Sequence, residues 1–480
     1  MNSWPQTRAE REDALTRLNA RLHEDPLSVD LALDRARLLA ELDRADEARD
    51  VYLRIVARAP DHLRALNDFG TFLMHGGFRA AARTVYERAL GIDPNSALAH
   101  ANLANVLFAD TDYDGACRHY EAALAIDPQR PEAHQGLSYA LTRLGREAEA
   151  LRHRRLGFAG RALTTAPYRG PGPAVDVLLL VCAGGGTLYT ETFLDDRIFR
   201  TTTLVADLFA GMPLLPPVDV VFNAISDADR AAAALQAMEQ LLAVVSVPVI
   251  NAPDRVLATA REANAARLAE LDGVVAPRIA TVPLTALRTG GAAFAERHGL
   301  RFPLLVRAPG FHTGQHFALV ERAGDLAATV AGFPGDDVLL IEYIDVRGDD
   351  GRVRKYRMMA VDGTLYPMHV AVSQQWKVHY FSADMAADAA NRAEDERFLA
   401  DPAAALGAPA LAALERIRDA IGLEYMGIDF ALDRAGRVVV FEANATMIVL
   451  PPGADPIWDY RRAPVGRVID AVRTMLLGRQ

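Results

Sequence analysis

The stretch Met426-Gly-Ile-Asp-Phe-Ala-Leu-Asp-Arg-Ala-Gly-Arg-Val-Val-Val-Phe-Glu-Ala-Asn444 decides how the C-terminal part of this chain folds. Two alternating runs flank Asp433-Arg-Ala-Gly436, which is a turn signal, so the stretch predicts a β-hairpin. If Leu432 pairs with Arg437 across this turn, one face of the hairpin is apolar and is expected to be core. The other face carries polar side chains.

The polar face of the hairpin offers three hard oxygen donors. In the register given above, Asp429 lies opposite Val440, and period-two alternation places Glu442 and Asn444 on the face of Asp429. Two carboxylates and an amide oxygen suit Mg²⁺, which commonly keeps waters and phosphate oxygens as its other ligands. The sequence therefore predicts a magnesium site at Asp429, Glu442 and Asn444. The alternative is an ordinary solvated hairpin face.

Length and composition predict a multidomain globular protein. The chain has 480 residues, of which 51% are hydrophobic, which is ample for more than one core. The net charge of −10 argues against a nucleic-acid partner and against a polybasic membrane surface. Residues 1–24 are charged throughout, and no apolar run reaches the ~18 residues of a membrane span. Cys117 and Cys182 form no CxxC pair, so we expect a cytoplasmic protein with reduced thiols.

The first 165 residues contain a period of 34 residues. Proline, alanine and tyrosine each recur in their own phase of this period. The recurring residues are Pro26, Pro60, Pro94 and Pro128; Ala48, Ala82, Ala116 and Ala150; and Tyr52, Tyr86 and Tyr120. Alanine lets paired helices approach closely, tyrosine fills the groove between repeats, and proline ends a helix. The pattern predicts helical hairpins over 29–62, 63–96, 97–130 and 131–164, after a leading helix over 6–24.

This pattern resembles the tetratricopeptide repeat, which implies an all-α solenoid over residues 1–165. Such arrays present a concave surface and usually bind peptides or proteins. The last unit has Arg154 where the others have tyrosine, as is typical of a capping repeat. The sequence leaves open whether the solenoid recruits a substrate or has a structural or dimerising role.

A parallel α/β domain is expected after a linker over 164–173 that is rich in Thr, Pro and Gly. Three apolar strands are predicted over 177–182, 218–223 and 247–251, with helical patterns between them. The first strand runs into Ala183-Gly-Gly-Gly-Thr187. This segment is either a ligand-binding loop or a tight turn that needs glycine.

From about residue 255 onward, the order of motifs resembles the ATP-grasp superfamily of carboxylate-amine ligases. The superfamily order is an opening helix, a strand that ends in a basic residue, a phosphate-covering loop, a hinge strand, an arginine strand and a metal hairpin. In this sequence these motifs are residues 259–277, 302–307, 308–314, 338–344, 354–363 and 426–444. Each motif alone is weak, and their common order makes the match specific.

The resemblance implies ATP and Mg²⁺ as ligands and gives individual residues a role. The residues implied are Arg261, Arg307, Glu342, Tyr343 and Ile344 for ATP; Arg357 and Lys355 for catalysis; and Asp429, Glu442 and Asn444 for the metal. Two positions depart from the usual pattern, since Arg307 replaces a lysine and Gly427 stands where some members have an arginine. The catalytic cation is therefore open among Arg357, Lys355 and Lys377.

Strand alternation separates the basic residues of the arginine strand. Lys355 and Arg357 are predicted to share one face, whereas Arg354 points to the other. Lys355 and Lys377 are the only lysines of the chain, which is a weak pointer to a role that arginine cannot fill.

Several single residues have an ordinary structural alternative. Arg307 and Glu342 could be solvated residues at strand ends. Three histidines are expected to be structural or solvated rather than catalytic: His312, His369 and His379. Trp376 and Tyr380 line a substrate pocket or belong to the core, and the sequence does not separate these alternatives.

The sequence thus predicts a repeat solenoid over 1–165, an α/β pre-ATP-grasp domain over 174–254, an ATP-grasp nucleotide lobe over 255–345 and an α+β metal-binding lobe over 346–480. By resemblance, the activity is ATP- and Mg²⁺-dependent ligation of a carboxylate to an amine through an acylphosphate, with release of ADP. A peptide or protein held by the solenoid is one candidate substrate. The alternatives are a repeat scaffold whose nucleotide-binding part does not ligate, and an ATP-dependent phosphotransferase.

Overall fold

The computed structural model describes residues 8–208, 215–310, 316–378, 380, 383–453 and 455–479. The chain divides into two compact units. The first comprises residues 1–174 and 196–200, and the second comprises residues 175–195 and 201–480.

The first unit is built from antiparallel helices that pair in succession along the chain. These helices are α1 (Arg8–Glu24), α2 (Val29–Glu41), α3 (Ala45–Arg58), α4 (Leu63–His75), α5 (Arg79–Ile92), α6 (Ala97–Ala109), α7 (Tyr113–Ile126), α8 (Pro131–Arg143) and α9 (Glu147–Gly157). A short strand, β1 (Leu163–Thr165), follows them. The helix pairs coincide with the predicted hairpins, and the 34-residue phase also sets where helices begin. Ser28, His62 and Ser96 each cap the first helix of a hairpin by accepting a backbone N–H three residues later.

The periodic residues form the core of the first unit. The four periodic alanines are fully buried, and the three tyrosines are nearly so. Tyr86 and Tyr120 lie so close to the backbones of Gly70 and Gly136 that a Cβ at either glycine would overlap the aromatic ring. Small residues on one helix thus make room for the aromatic ring of another.

The described residues of the second unit form three sheets with flanking helices. Its strands are β2 (Val175–Val181), β3 (Phe199–Val205), β4 (Val220–Asn223), β5 (Val249–Ile250), β6 (Val274–Val275), β7 (Ile279–Pro283), β8 (Leu304–Arg307), β9 (Phe317–Val320), β10 (Asp337–Glu342), β11 (Val353–Val361), β12 (Thr364–Ser373), β13 (Tyr425–Leu432) and β14 (Val438–Asn444). Its helices are α10 (Ala232–Leu242), α11 (Pro253–Leu257), α12 (Arg261–Leu268), α13 (Leu284–Arg297), α14 (Leu326–Val330), α15 (Ala389–Ala400), α16 (Pro402–Leu406), α17 (Ala408–Ile421) and α18 (Arg462–Leu477).

The three sheets differ in topology. Within the second unit, the first has the strand order β3-β2-β4-β5, in which β2, β4 and β5 run parallel, as the apolar strands predicted. The second is antiparallel with the order β7-β10-β8-β9. The third has the order β12-β11-β13-β14-β6 and is antiparallel except for the pairing of β14 with β6.

Asn251, which is fully buried, ties the first sheet to the third. Its amide Nδ2 donates to the carbonyl of Tyr425 at 2.8 Å, and its Oδ1 accepts the N–H of Tyr425 at 2.9 Å. One side chain thus satisfies both backbone groups at the start of β13. Because Asp429 lies further along the same strand, this contact fixes the strand that carries the candidate site.

The predicted pairing of Leu432 with Arg437 in the hairpin is wrong by one residue, because Leu432 pairs with Val438. The N–H of Asp433 donates to the carbonyl of Arg437 at 3.0 Å, which closes a three-residue loop. Gly436 ends this loop with a φ of 76°, the left-handed conformation that such loops require.

The predicted position of Asp429 opposite Val440 is also wrong, since Asp429 pairs directly with Glu442. The turn accounts for one residue of this two-residue difference. A β-bulge between the Asp429 and Phe430 pairings accounts for the other, because it places one extra residue in β14. The bulge changes the face on which the next side chains point. Asp429 and Glu442 therefore share a face as cross-strand neighbours, although by a different register from the one predicted.

Candidate functional site

A row of polar side chains crosses the third sheet on one face. His369 on β12 pairs with Arg357 on β11, Arg357 pairs with Asp429 on β13, and Asp429 pairs with Glu442 on β14. Directly paired residues point to the same side of a sheet. Four neighbouring strands thus bring two acids, an arginine and a histidine onto one surface.

Asp429 is the centre of this row and is only 1% exposed. Arg357 donates from Nε to Oδ1 at 2.6 Å and from Nη2 to Oδ2 at 2.9 Å, and the Nζ of Lys355 lies 2.6 Å from Oδ2. Burial would raise the pKa of this carboxyl, but Arg357 and then Lys355 outweigh burial and hold it far below its usual range. Asp429 is therefore ionised and neutralised by two cations.

The arginine strand has the predicted division of faces. Lys355 and Arg357 both reach Asp429, whereas Arg354 binds Asp350 and Glu394. The first two cations thus belong to the polar row, and Arg354 belongs to a separate ion-pair cluster.

Glu442 anchors the other end of the row. Its Oε1 accepts from Nη2 of Arg261 at 2.7 Å and from Nδ2 of Asn444 at 3.1 Å. The Oδ1 of Asn444 accepts from the N–H and the hydroxyl of Thr446 at 2.9 and 2.7 Å. The amide oxygen expected to be a metal ligand is therefore directed at Thr446.

Two arginines from other elements stand in the same cleft. Arg261 begins α12, and Arg307 ends β8, as the motif order predicted. Burial, and then the positive charge of Arg261, lower the pKa of Arg307 to about 10. Arg261 is already paired with Glu442, and both guanidinium groups are half-buried on the cleft wall. A phosphate in the cleft would therefore meet two positive charges.

Residues on or next to each of the three sheets of the second unit line this cleft. Its polar lining residues are Asp227, Asp229, Arg261, Asn264, Arg307, Glu442, Asn444 and Thr446. Its apolar lining residues include Leu268, Pro277, Ile279, Leu339 and Val440. A lining with both apolar and charged side chains suits a ligand with a flat ring and an anionic tail.

The predicted hinge residues lie apart from this lining as far as the described residues show. Glu342 ends β10, and its carboxylate accepts the backbone N–H of Arg278 at 3.1 Å. Tyr343 and Ile344 follow it and are half-buried, and burial raises the pKa of Tyr343. The structure does not bring these three residues together with Arg261 and Arg307 around the cleft as it is formed here.

Sequence reasoning missed Asp227 and Asp229, which follow β4. Asp227 is buried and accepts the N–H groups of Asp229 and Arg230 at 3.1 Å each. The carboxylate of Asp229 accepts the N–H of Arg261 at 3.2 Å, and burial raises the pKa of this carboxyl. Acidic residues directly after a parallel strand were the available signal, since ligands bind at the carboxyl ends of such strands.

A carboxylate of the same unit binds the backbone N–H groups of the glycine segment after β2. The N–H groups of Ala183 and Gly184 both donate to the carboxylate of Asp207 at 2.9 Å. Gly185 and Gly186 have φ values of 94° and 82°, which glycine adopts without strain. The geometry fits a tight turn, and Asp207 occupies the place that an anionic ligand would take.

His369, at one end of the row, also belongs to a buried polar cluster with Tyr380. Their ring centroids are 4.5 Å apart, and the Tyr380 and Tyr460 hydroxyls donate to Oδ2 of Asp395 at 3.0 and 2.8 Å. Burial, and then Arg357 and Arg461, hold the pKa of His369 well below its ordinary value. His369 is thus a neutral imidazole next to the catalytic candidate Arg357.

Some expected features lie outside the described residues. The phosphate-covering loop over 308–314 is described only as far as Gly310, which places His312 outside, and His379 is outside as well. Lys377 is described and donates to the carbonyl of Phe317 at 3.4 Å, and Trp376 packs edge-on against the Phe317 ring. Within the described ranges, no three side chains of His, Cys, Asp or Glu are grouped to hold a metal ion, and no helix could span a membrane.

Comparison with known families accounts for the helical unit. Tetratricopeptide repeat families match residues 7–63 and 107–153. The chain therefore carries an N-terminal tetratricopeptide repeat domain, followed by a mixed α/β region with several sheets.

Individual relatives resemble only part of the chain. An uncharacterized protein, y4yS, of Sinorhizobium fredii (strain NBRC 101917 / NGR234) is 36% identical over 97 residues, which are 20% of this chain and 53% of that protein. The chain thus spans about half the length of the curated relative that it matches.

Two solved structures are similar at low score. MamA from Desulfovibrio magneticus RS-1 is 22% identical, with 30% of this chain and 82% of that chain covered and a TM-score of 0.28. A thermophilic TPR protein of Thermus thermophilus is 22% identical, with 32% and 85% covered and a TM-score of 0.29.

Proposed function

We propose that the second unit is an ATP-grasp ligase that joins a carboxylate to an amine through an acylphosphate and releases ADP. One observation carries this proposal: Glu442, which is paired with Asp429 at one end of the polar row, lines a cleft together with Arg261 and Arg307. Anion-binding cations and hard oxygen donors on one surface are what phosphoryl transfer from ATP needs.

The arrangement of sheets supports a nucleotide in the cleft. Arg307 and Leu339 come from the second sheet, and Glu442 and Asn444 come from the third. A nucleotide between the two sheets would place its phosphates near the arginines and its ring near Leu339. Tyr343 and Ile344 would then pair with the adenine edge only after the second sheet moves, which the resemblance to a mobile nucleotide lobe implies.

The donor set fits Mg²⁺ in kind, because Asp429, Glu442 and Asn444 supply only oxygens. When bound, Mg²⁺ neutralises charge on the phosphates. Glu442 already lies on the cleft wall. Asp429 shares both oxygens with Arg357 and Lys355, and Asn444 directs its oxygen to Thr446, so these two residues would have to rearrange their bonds.

The cations have separable roles in this proposal. Arg357 is fixed by two bonds to Asp429, which preorganises its remaining N–H groups toward the transferring phosphoryl group. Lys355, with one bond to the same carboxylate, adds a second positive charge. Tetratricopeptide repeat domains commonly bind peptides. A peptide or protein is therefore the first class of substrate to test.

Product analysis tests this function. The full chain would be incubated with ATP, MgCl₂ and an extract of the source organism that retains its peptides and proteins, and the products would be identified by mass spectrometry. We expect ADP together with a new amide. ADP with a phosphoester would indicate a phosphotransferase, and unchanged ATP would leave the repeat scaffold as the function.

Two variants of the same hairpin, one at the candidate site and one at its exposed tip, show whether a loss of activity is specific to the site. Glu442→Gln keeps the side-chain shape and removes one ligand charge, whereas Arg434→Ala changes an exposed residue at the tip of the same hairpin. The proposal requires amide formation to be lost in Glu442→Gln and kept in Arg434→Ala.

A further inference from the structure

The tetratricopeptide domain contains two histidine pairs with the same geometry. His100 on α6 faces His119 on α7, and their Nδ1 atoms are 2.9 Å apart. His134 on α8 faces His153 on α9 with the same separation of 2.9 Å. The two pairs are 34 residues apart at both positions. The repeat therefore places the same histidine pair, which we call a histidine clasp, in two successive hairpins.

Backbone carbonyls fix which nitrogen carries the proton in the first member of each pair. The Nε2 of His100 lies 3.1 Å from the carbonyl of Pro94, and the Nε2 of His134 lies 3.1 Å from the carbonyl of Pro128. A carbonyl only accepts, so each Nε2 carries the hydrogen, and the Nδ1 of the neutral ring keeps a lone pair. That lone pair points at the second histidine.

This arrangement matches the surroundings of a metal-binding histidine. Histidines that bind metals usually donate the other ring N–H to a carbonyl or carboxylate, which fixes the ring and the tautomer. Metal–nitrogen bonds are about 2.0–2.1 Å long, so two nitrogens that meet at a right angle on one ion are about 2.9 Å apart. Right angles between nitrogen ligands are typical of Cu²⁺ and Ni²⁺.

We propose that each histidine clasp, His100 with His119 and His134 with His153, binds one Cu²⁺ or Ni²⁺ ion through its two Nδ1 atoms. Each clasp supplies two ligands, and water fills the remaining positions, since no third His, Cys, Asp or Glu side chain of the described residues completes either group. The second histidine moves its proton from Nδ1 to Nε2, so binding releases no proton from the pair.

Neighbouring charges give the two clasps unequal affinities for the metal. The guanidinium of Arg152 lies 3.3 Å from the Nε2 of His153 and donates to it. In the metal-bound pair that Nε2 carries a hydrogen, so the contact with Arg152 becomes repulsive. His119 has the positive charge of Arg118 and the two negative charges of Glu87 and Asp112 around it. His153 has the positive charge of Arg152 and the negative charge of Glu149 around it. The first clasp therefore binds the metal more tightly than the second.

Calorimetric titration of the full, untagged chain with NiCl₂ at about pH 7.5, where free imidazole is neutral, tests this proposal. We expect two sites of unequal affinity. His119→Gln should weaken the tighter site at least about tenfold, His153→Gln should weaken the other to the same extent, and the double variant should lose both. A matched control, His23→Gln with His75→Gln, changes two exposed histidines of the same domain and should keep both sites.

The proposal is overturned if the double variant binds Ni²⁺ as the wild type does, or if the exposed-histidine control removes the binding. The chain has 12 histidines, so this control decides between clasps and scattered surface binding. A second measurement uses the wild type alone, so it tests the proposal even if the variants fail to fold. Electron paramagnetic resonance with one equivalent of CuCl₂ should show hyperfine coupling to two nitrogens, and coupling to one nitrogen would contradict the clasp.

Discussion

Arg357 holds Asp429 by two parallel hydrogen bonds, from Nε to Oδ1 at 2.6 Å and from Nη2 to Oδ2 at 2.9 Å. The pair links neighbouring strands at the centre of the third sheet, and the carboxylate is almost entirely buried. The same contact therefore serves stability and, in the proposed ligase, the placement of a catalytic cation.

Arg357→Ala should destabilise the second unit as well as affect catalysis. The change leaves Asp429 buried with Lys355 as its remaining partner, which should lower the free energy of unfolding by about 3 kcal/mol. Arg354→Ala is the control, because that ion-pair cluster is more exposed and should cost about 1 kcal/mol or less. Urea denaturation followed by tryptophan fluorescence measures both, since Trp376 and Trp458 lie in the second unit.

A double variant checks that the cost comes from the buried charge. Asp429→Asn in the Arg357→Ala background removes the uncompensated carboxylate and should recover part of the lost stability. If the two single changes simply add, the buried ion pair is not the cause.

Lys355→Ala should lower turnover, whereas Lys377→Ala should leave it nearly unchanged. Lys355 lies 2.6 Å from the central carboxylate, and Lys377 binds a backbone carbonyl at the edge of the second sheet. We expect a loss of about tenfold or more for Lys355→Ala, because a preorganised cation is removed. ADP release in the product assay measures it, and the reverse order of the two variants would make Lys377 the catalytic cation.

Asn251→Ala should strongly destabilise the second unit. The change leaves the N–H and C=O of Tyr425 without their side-chain partners in a buried position, at a cost of about 2–4 kcal/mol. The φ of 55° at Asn251 adds strain for alanine, since asparagine tolerates this conformation better. Asn251→Asp keeps the acceptor and loses the donor. Urea midpoints should fall for both variants, and an unchanged midpoint for alanine would show that the two bonds to Tyr425 contribute no stability.

His369 should make stability depend on pH. Burial, and then Arg357 and Arg461, lower its pKa in the fold, while Lys355 also disfavours the proton and Asp429 favours it. The unfolded chain therefore binds a proton below about pH 6.5 that the folded chain does not, and stability falls as the pH drops through this range. Well above about pH 6.5, His369 is neutral in the folded and in the unfolded chain, so it causes no loss of stability.

His369→Gln isolates this effect from the other histidines. Between pH 6.5 and 5.5, the wild type should lose up to about 1 kcal/mol more stability than the variant, as measured by urea denaturation at each pH. Parallel losses in the two proteins would mean that His369 is protonated in the fold.

The sequence predicts local patterns well and long-range contacts poorly. The 34-residue phase predicted every helical hairpin, because each residue type has a fixed place within a repeat. Strand alternation separated Arg354 from Lys355 and Arg357 for the same reason, since it depends only on neighbours along the chain.

The register of the β13–β14 hairpin shows which features strand alternation does not predict. Gly436 in the left-handed conformation and the bulge opposite Asp429 each shift the pairing by one residue, and alternation alone contains no sign of either. Asp229 reaches Arg261 from a different element, so only the folded chain brings them together. The bonds from Arg357 and Lys355 to the predicted metal ligand Asp429 were likewise not predicted.

Equilibrium binding of ATP to the full chain, with and without MgCl₂, tests most directly the claim that this cleft is an ATP–Mg²⁺ site. We predict saturable binding that Mg²⁺ strengthens in the wild type and in Arg434→Ala, and a Mg²⁺ effect reduced at least about tenfold in Glu442→Gln, because one ligand charge is gone. Absence of ATP binding by the wild type, or equal Mg²⁺-dependent binding by Glu442→Gln, would contradict the account.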